Sequence, residues 1–202
     1  MAAGDLVLAL TGASGVVYGM RLLEVLLRAG HVIHFSLSPS AVEVIKEETG
    51  RTVNLATFRL FDFLDAAADG LPGERFHYHH FQDFRAGIAS GSFLTAGMVV
   101  CPCSMGTVAA IAHGLSQNLI HRAADVHLKE RRRLILVPRE TPLGLVQLRN
   151  LTACAEAGAV ILPAMPAFYT RPATLHDAVD FVVGRICDQL GVEHQLLRRW
   201  GQ

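Results

Sequence analysis

The chain has 202 residues, 51% apolar and 18% charged, with 18 basic and 18 acidic side chains that cancel to a formal net charge of zero. That balance calls for a large core, or for surface buried in an assembly, and excludes disorder and any overall electrostatic pull toward nucleic acid or an acidic membrane. Four cysteines, Cys101, Cys103, Cys154 and Cys187, are too few for a disulfide scaffold and read as buried free thiols of a cytoplasmic protein.

The N-terminal MAAGDLVLAL has no basic region and its apolar run stops at Thr11-Gly12, so it does not read as a signal peptide. No run reaches the roughly 20 apolar residues that span a bilayer. Residues 6–19, LVLALTGASGVVYG, read as a strand, a small-residue turn and the start of a helix. Such a turn offers unpaired N–H groups and the positive end of a helix dipole to a phosphate. The helix continues over 17–28 and stops at Gly30. A second strand follows at 31–38 and a helix at 40–48, so the first unit is strand–helix–strand with a right-handed crossover.

Residues 51–92 are least legible. The His77-Tyr78-His79-His80 cluster invites a metal, but neighbouring residues of an extended segment point to opposite faces and no Cys or acidic partner follows at ligand spacing. No metal is expected. Ser90-Gly91 belongs to a small-residue loop able to approach a ligand closely. A strand at 97–101 runs into Pro102-Cys103-Ser104-Met105-Gly106-Thr107 and a helix at 108–113. Residues 122–133 hold a helix whose basic end reads as a solvated C-terminus, or as an anion site using Lys129. A strand at 134–137 ends at Pro138-Arg139-Glu140. Pro142 is placed in the first turn of a helix reaching Ala157. A strand at 159–162 and a helix at 175–190 complete the pattern.

Nearly continuous apolar strands alternating with helices predict an α/β fold: a three-layer, doubly wound parallel sheet forming one domain over 1–202. Ligands of such sheets lie outside the carboxyl ends of the strands. Residues 11–15, Ser38, residues 103–107, Arg139-Glu140 and Phe168-Tyr169 should meet there. The glycines at 12, 15 and 19 do not form G-x-G-x-x-G, and the second strand ends in Ser36-Leu37-Ser38 without an acid for a dinucleotide ribose. A Walker lysine is absent. Flavin mononucleotide fits what remains. Lys129, Arg122 and Arg185 add cations for a second, anionic ligand. Arg185, on the apolar side of its helix, calls for an anion partner.

Taken together, TGASGxxYGxRLLxxL, CPCSMGT, RAADVxLKERRxLxLVPRETPL, LPAMPAFY and DFVVGRIxDxLG resemble UbiX-type flavin prenyltransferases, formerly described as 3-polyprenyl-4-hydroxybenzoate decarboxylases, over nearly the whole chain. The resemblance implies a flavodoxin/Rossmann-like homododecamer that treats reduced FMN as substrate. FMN would bind at Gly12, Ala13, Ser14, Ser38, Ser104, Met105, Gly106, Thr107 and Arg139. Dimethylallyl phosphate would be held by Tyr169 and Arg185, with Lys129, Arg122, Ser90 and Gly91 near by. The product, flavin with a new ring joining N5 and C6, would pass to a UbiD-type decarboxylase. Glu140 would be the acid/base for ring closure. Glu48 would be a second acidic residue, supplied by a neighbouring subunit, and Ser14 a hydroxyl near the reactive flavin edge. Pro39 and Phe84 depart from the family pattern. Two other readings stand beside it: a cysteine-decarboxylating flavoprotein, whose PxMN motif is here Pro163-Ala164-Met165-Pro166, and a flavin carrier without turnover.

Overall fold

The computed structural model describes residues 4–199 and 201. Met1, Ala2, Ala3, Trp200 and Gln202, which enter the signal-peptide reading and the 1–202 domain, lie outside them. The chain runs β1 (Leu6–Leu10), α1 (Val16–Arg28), β2 (Ile33–Leu37), α2 (Pro39–Thr49), α3 (Leu60–Leu64), β3 (Phe76–Tyr78), β4 (Gly97–Cys103), α4 (Met105–Ala112), α5 (Leu119–Lys129), β5 (Arg133–Pro138), α6 (Leu145–Glu156), β6 (Val160–Ile161) and α7 (Leu175–Leu190). One six-stranded sheet, order β3-β2-β1-β4-β5-β6, has every neighbouring pair parallel. Strand order reverses between β1 and β4, so the crevice at their carboxyl ends is the switch point where ligands of such sheets bind.

The strands are apolar on both sides because both faces are covered. Leu6, Leu8, Leu10, Ile33, Phe35 and Leu37 pack under α1, α2, α3 and α7. Val7, Ala9, Met98, Val100, Leu134 and Leu136 pack under α4, α5 and α6. All four cysteines are free and buried, and burial raises the thiol pKa of each, so none is a ready nucleophile. No helix among the described residues is long and apolar enough to cross a membrane.

Four stretches differ from the sequence expectation. Phe76–Tyr78 is a short edge strand within the illegible region, too brief to show a period. β4 continues through Pro102, which the register shift between Val100 and Cys103 accommodates in the ladder. Pro142 lies outside α6, which starts behind Gly144, while Asn118 caps α5 four residues before Arg122.

α5 closes in a Schellman motif: Arg132 N–H donates to His127 O (2.8 Å) and Arg131 N–H to Leu128 O (3.1 Å). Arg131 occupies the left-handed position, φ 54°, that normally takes glycine. Arg131→Gly is therefore expected to stabilise the protein by about 0.5–1 kcal/mol, read as a higher urea midpoint at unchanged slope. A lower midpoint would mean that the Arg131 side chain holds more than its backbone strain costs.

The sheet face toward α5 carries imidazoles. His34 of β2 bonds His79 (Nδ1···Nε2, 2.9 Å) and Asp5 (Nε2···Oδ2, 3.1 Å), and Phe93 packs edge-on against it. His127 bonds Ala123 O (2.7 Å) and Thr95 Oγ1 (2.8 Å). Burial lowers the pKa of His79, His121 and His127 in the fold. Unfolded histidine titrates near pH 6.5, so below that value the unfolded chain binds protons that the native state refuses. Stability is thus full above about pH 6.5 and falls as pH drops from there through the lowered native values. Melting temperature should decline from that point, and less steeply in His127→Gln. Equal slopes would remove His127 from the account.

Candidate active site

The site starts from the turn after β1. Thr11 joins the two strands at the switch point: its N–H (3.1 Å) and hydroxyl (3.2 Å) donate to Pro102 O, and its Oγ1 accepts from Ser104 N–H (2.7 Å). Gly12 presses on α2 so closely that a Cβ there would overlap Ser40 Cβ. Gly15, at φ 103°, precedes α1 and has no side chain to cap it. Glu48 supplies the cap. Its Oε1 and Oε2 accept from Gly15 N–H (2.9 and 3.1 Å), and Oε2 also accepts from Val16 N–H (2.9 Å). The sequence expectation gave Glu48 to a neighbouring subunit's site. Here it reaches the turn of its own chain, because α2 runs back beside the start of α1.

Two more helices begin on the same edge. Ser38 caps α2, its Oγ accepting from Ala41 N–H (3.1 Å). Ser104 caps α4, accepting from Thr107 N–H (3.3 Å), with Thr107 Oγ1 3.1 Å from its hydroxyl. Three helix N-termini and a set of small or hydroxylated residues make this edge suited to an anion, with Glu48 already bonded to the first of those N-termini. Arg139, just past β5, donates from Nε to Ser14 O (3.4 Å). Its neighbour Glu140 is exposed and accepts from Thr141 N–H (3.0 Å). Arg139 and Glu140 line a cavity of about 120 Å³ with Pro163 and Met165.

Tyr169 packs edge-on against Phe181 of α7, with ring centroids 5.9 Å apart. Arg185 lies one turn further along α7, and both Phe181 and Arg185 line a cavity of about 300 Å³ beside β6. The expectation that Arg185 lies on the apolar side is corrected. It is exposed, and its partner is Asp188 (2.7 Å), one turn away. Burial would raise the Asp188 carboxyl, but bonds from Arg199 and His194 outweigh it and hold the pKa low.

The remaining cations are elsewhere. Arg122 donates to Ala89 O (2.9 Å) and pairs with Asp125 (2.7 Å). Lys129 pairs with Glu130, and both lie so close to Gly91 that a Cβ there would overlap the Glu130 carboxylate. Ser90 and Ser92 hydroxyls bond each other at 2.9 Å. Lys129, Glu130 and the Ser90–Ser92 loop lie by the end of α5 and the entry to β5, at the amino edge, while Arg122 lies in the first turn of α5. The six residues of β5 separate Lys129 from Arg139 by about 20 Å. One chain therefore brings together Ser14, Glu48, Arg139 and Glu140, and separately Ser90, Gly91, Lys129 and Arg122. It does not unite them in one crevice. Among the described residues no three His, Cys, Asp or Glu side chains are grouped to hold a metal ion.

Sequence reasoning placed Thr11 at the crevice with the rest of residues 11–15, without its bonds to Pro102 and Ser104, and missed Arg132. Arg132 was absorbed in a basic run read as solvated, yet it donates to Gly91 O and to Phe93 O (2.7 Å).

The Flavoprotein family model matches residues 2–187. The flavin prenyltransferase UbiX of Alkalihalophilus pseudofirmus is 48% identical over 193 residues, covering 96% of this chain and 94% of that one. The crystal structure of AnUbiX (PadA1) in complex with FMN and dimethylallyl pyrophosphate has a TM-score of 0.87 at 40% identity, covering 99% and 98% of the two chains. A dodecameric FMN-dependent UbiX-like decarboxylase from Escherichia coli O157:H7 has a TM-score of 0.85 at 41% identity, over 98% of this chain and all of that one.

Proposed function

This chain belongs to the flavin prenyltransferases of the Flavoprotein family, and from that premise we propose how its residues carry a dimethylallyl group onto N5 and C6 of reduced FMN. The observation that carries the proposal is the carboxyl edge itself. Three helix N-termini converge there, Gly12 has no room for a side chain, and Arg139 is held to Ser14 beside Glu140. That donor set fits a flavin mononucleotide: N–H groups and hydroxyls of Ser38 and of residues 104–107 for polar and phosphate oxygens, and the turn of residues 12–14 for the ring system.

Reduced flavin supplies the nucleophilic ring atoms. The protein does the rest. Tyr169 and Arg185, with Lys129, Arg122, Ser90 and Gly91, hold the phosphate of dimethylallyl phosphate and stabilise it as it leaves. Aromatic faces at Tyr169 and Phe84 favour the developing allylic cation. Glu140 takes the ring proton lost at closure. Glu48, at the turn beside Ser14, fixes the charge next to the reacting edge.

The cations at the amino edge reach the crevice only from another copy. The dodecameric relative supports this, as do the exposed Leu145, Val146, Leu148, Met165 and Phe168 around the crevice. The prenylated flavin is passed on to a UbiD-type decarboxylase. Anaerobic incubation with reduced FMN and dimethylallyl phosphate, followed by mass spectrometry of the flavin, should show one added five-carbon unit. Unmodified flavin would overturn the proposal.

A further inference from the structure

The loop bearing Ser90 and Gly91 is tied down by α5 and its exit. Arg122 holds Ala89 O at 2.9 Å. Arg132 donates from Nη1 to Phe93 O at 2.7 Å and from Nη2 to Gly91 O. His127 holds Thr95 Oγ1 at 2.8 Å. The carbonyls of residues 89, 91 and 93 thus turn toward arginines. The Ser90 and Ser92 hydroxyls stay exposed and bond only locally, and Gly91 lies on Lys129. The Schellman turn explains why Arg132 can do this. With Arg131 left-handed, the chain reverses and Arg132 leaves the helix axis toward the loop instead of continuing around the helix.

We propose that Arg132 is a positioning residue for prenyl transfer: its guanidinium fixes the Ser90-Gly91 loop in the shape that receives the donor's phosphate. This rests on the reading above that Ser90 and Gly91 meet that phosphate. Arg132 itself does not touch the donor. A planar fork serves two carbonyls at once, whereas an ammonium on a flexible stem serves them poorly. Arg132 alone bonds the carbonyls on both sides of Ser92, with Arg122 at Ala89 and His127 at Thr95 holding the loop's ends, so loosening Arg132 frees the phosphate contacts and leaves unaltered the carboxyl-edge donors proposed to hold the flavin.

The test is steady-state kinetics on intact Arg132→Lys, Arg132→Ala and Ser90→Ala proteins, varying dimethylallyl phosphate and reduced FMN separately, with melting temperatures alongside. The donor KM should rise about 5-fold in Arg132→Lys and about 20-fold or more in Arg132→Ala. The flavin KM should stay within about twofold in both. A merely structural role would lower the melting temperature and move both KM values together, and that result overturns the proposal. An unchanged donor KM in Arg132→Lys, with a raised one in Ser90→Ala, overturns it while sparing the loop as a phosphate site. An unchanged donor KM in Ser90→Ala removes the loop from the site, and the proposal falls with it. If Arg132→Ala does not fold, Arg132→Lys decides.

Discussion

Lys129→Ala and Glu140→Gln, each nearly inactive alone, are expected to regain prenyl transfer when co-expressed. The reason is geometric. Lys129 ends α5 at the amino edge, and Glu140 follows β5 at the carboxyl edge. A strand of six residues keeps them about 20 Å apart in one chain, too far for both to meet a ligand the size of dimethylallyl phosphate. Under the proposed function, a working site takes Glu140 from one copy and Lys129 from another. Each substitution alone should lower kcat/KM by about 10²–10⁴-fold, the range for loss of an acid/base or of a cation on a leaving phosphate. In a random mixture of equal amounts, half of the copies present an intact carboxyl edge and half an intact amino edge. About a quarter of the sites are then intact on both sides, and activity should recover to about a quarter of the wild-type value. A chain carrying both substitutions, co-expressed with either single variant, should not recover to that level. Activity that stays at the level of the single variants would show that one copy holds both residues at its site.

Gly19→Ala is the substitution expected to damage the fold most. Gly19 lies in α1 where the helix crosses β4, and a Cβ there would overlap Cys101 O and lie 2.9 Å from Leu10 Cδ2. Alanine in place of glycine favours a helix by about 1 kcal/mol. Here the neighbour is backbone of a central strand, buried on both faces, and cannot move aside. Overpacking costs about 1–3 kcal/mol, and against rigid backbone it falls at the top of that range, so after the helix gain the net loss should be about 2 kcal/mol, a fall of about 4–8 °C in melting temperature. Gly106→Ala is the contrast, because nothing lies within 4 Å of a Cβ built there. It should melt at the wild-type temperature or above. A Gly19→Ala protein as stable as the wild type would show that α1 can lift off β4.

What the sequence conveyed followed from how directly physics writes on it. Alternating apolar strands and helices gave the doubly wound sheet, and α7 was legible to the residue because its stripe is regular and Thr174 and Asp177 form a capping box. β3 was not, since three residues at a sheet edge carry no period. The carboxyl-edge residues were legible because a parallel sheet places every strand end on one side, whatever the intervening packing. Lys129, Ser90 and Gly91 were assigned to the same crevice because a motif does not say which copy of the chain supplies it. Arg185 misled for another reason. Helical spacing marks a face as apolar without saying how far the neighbouring layer extends, and here it stops short of Arg185. Arg132 hid in a run of arginines whose individual partners only a folded turn can distribute.

The Asp5–His34–His79 chain has a further consequence, which concerns direction. With Asp5 ionised, a neutral His34 must carry its hydrogen on Nε2, and its Nδ1 then accepts from Nε2–H of His79. One carboxylate at the edge of β1 thereby selects the tautomer of two imidazoles in succession, the second of them beyond β2. Asp5→Asn, with its amide nitrogen turned to His34, would reverse both. The inversion would be visible in the imidazole nitrogen chemical shifts without any change of shape. The sheet here transmits the orientation of a row of dipoles while every atom heavier than hydrogen stays where it is.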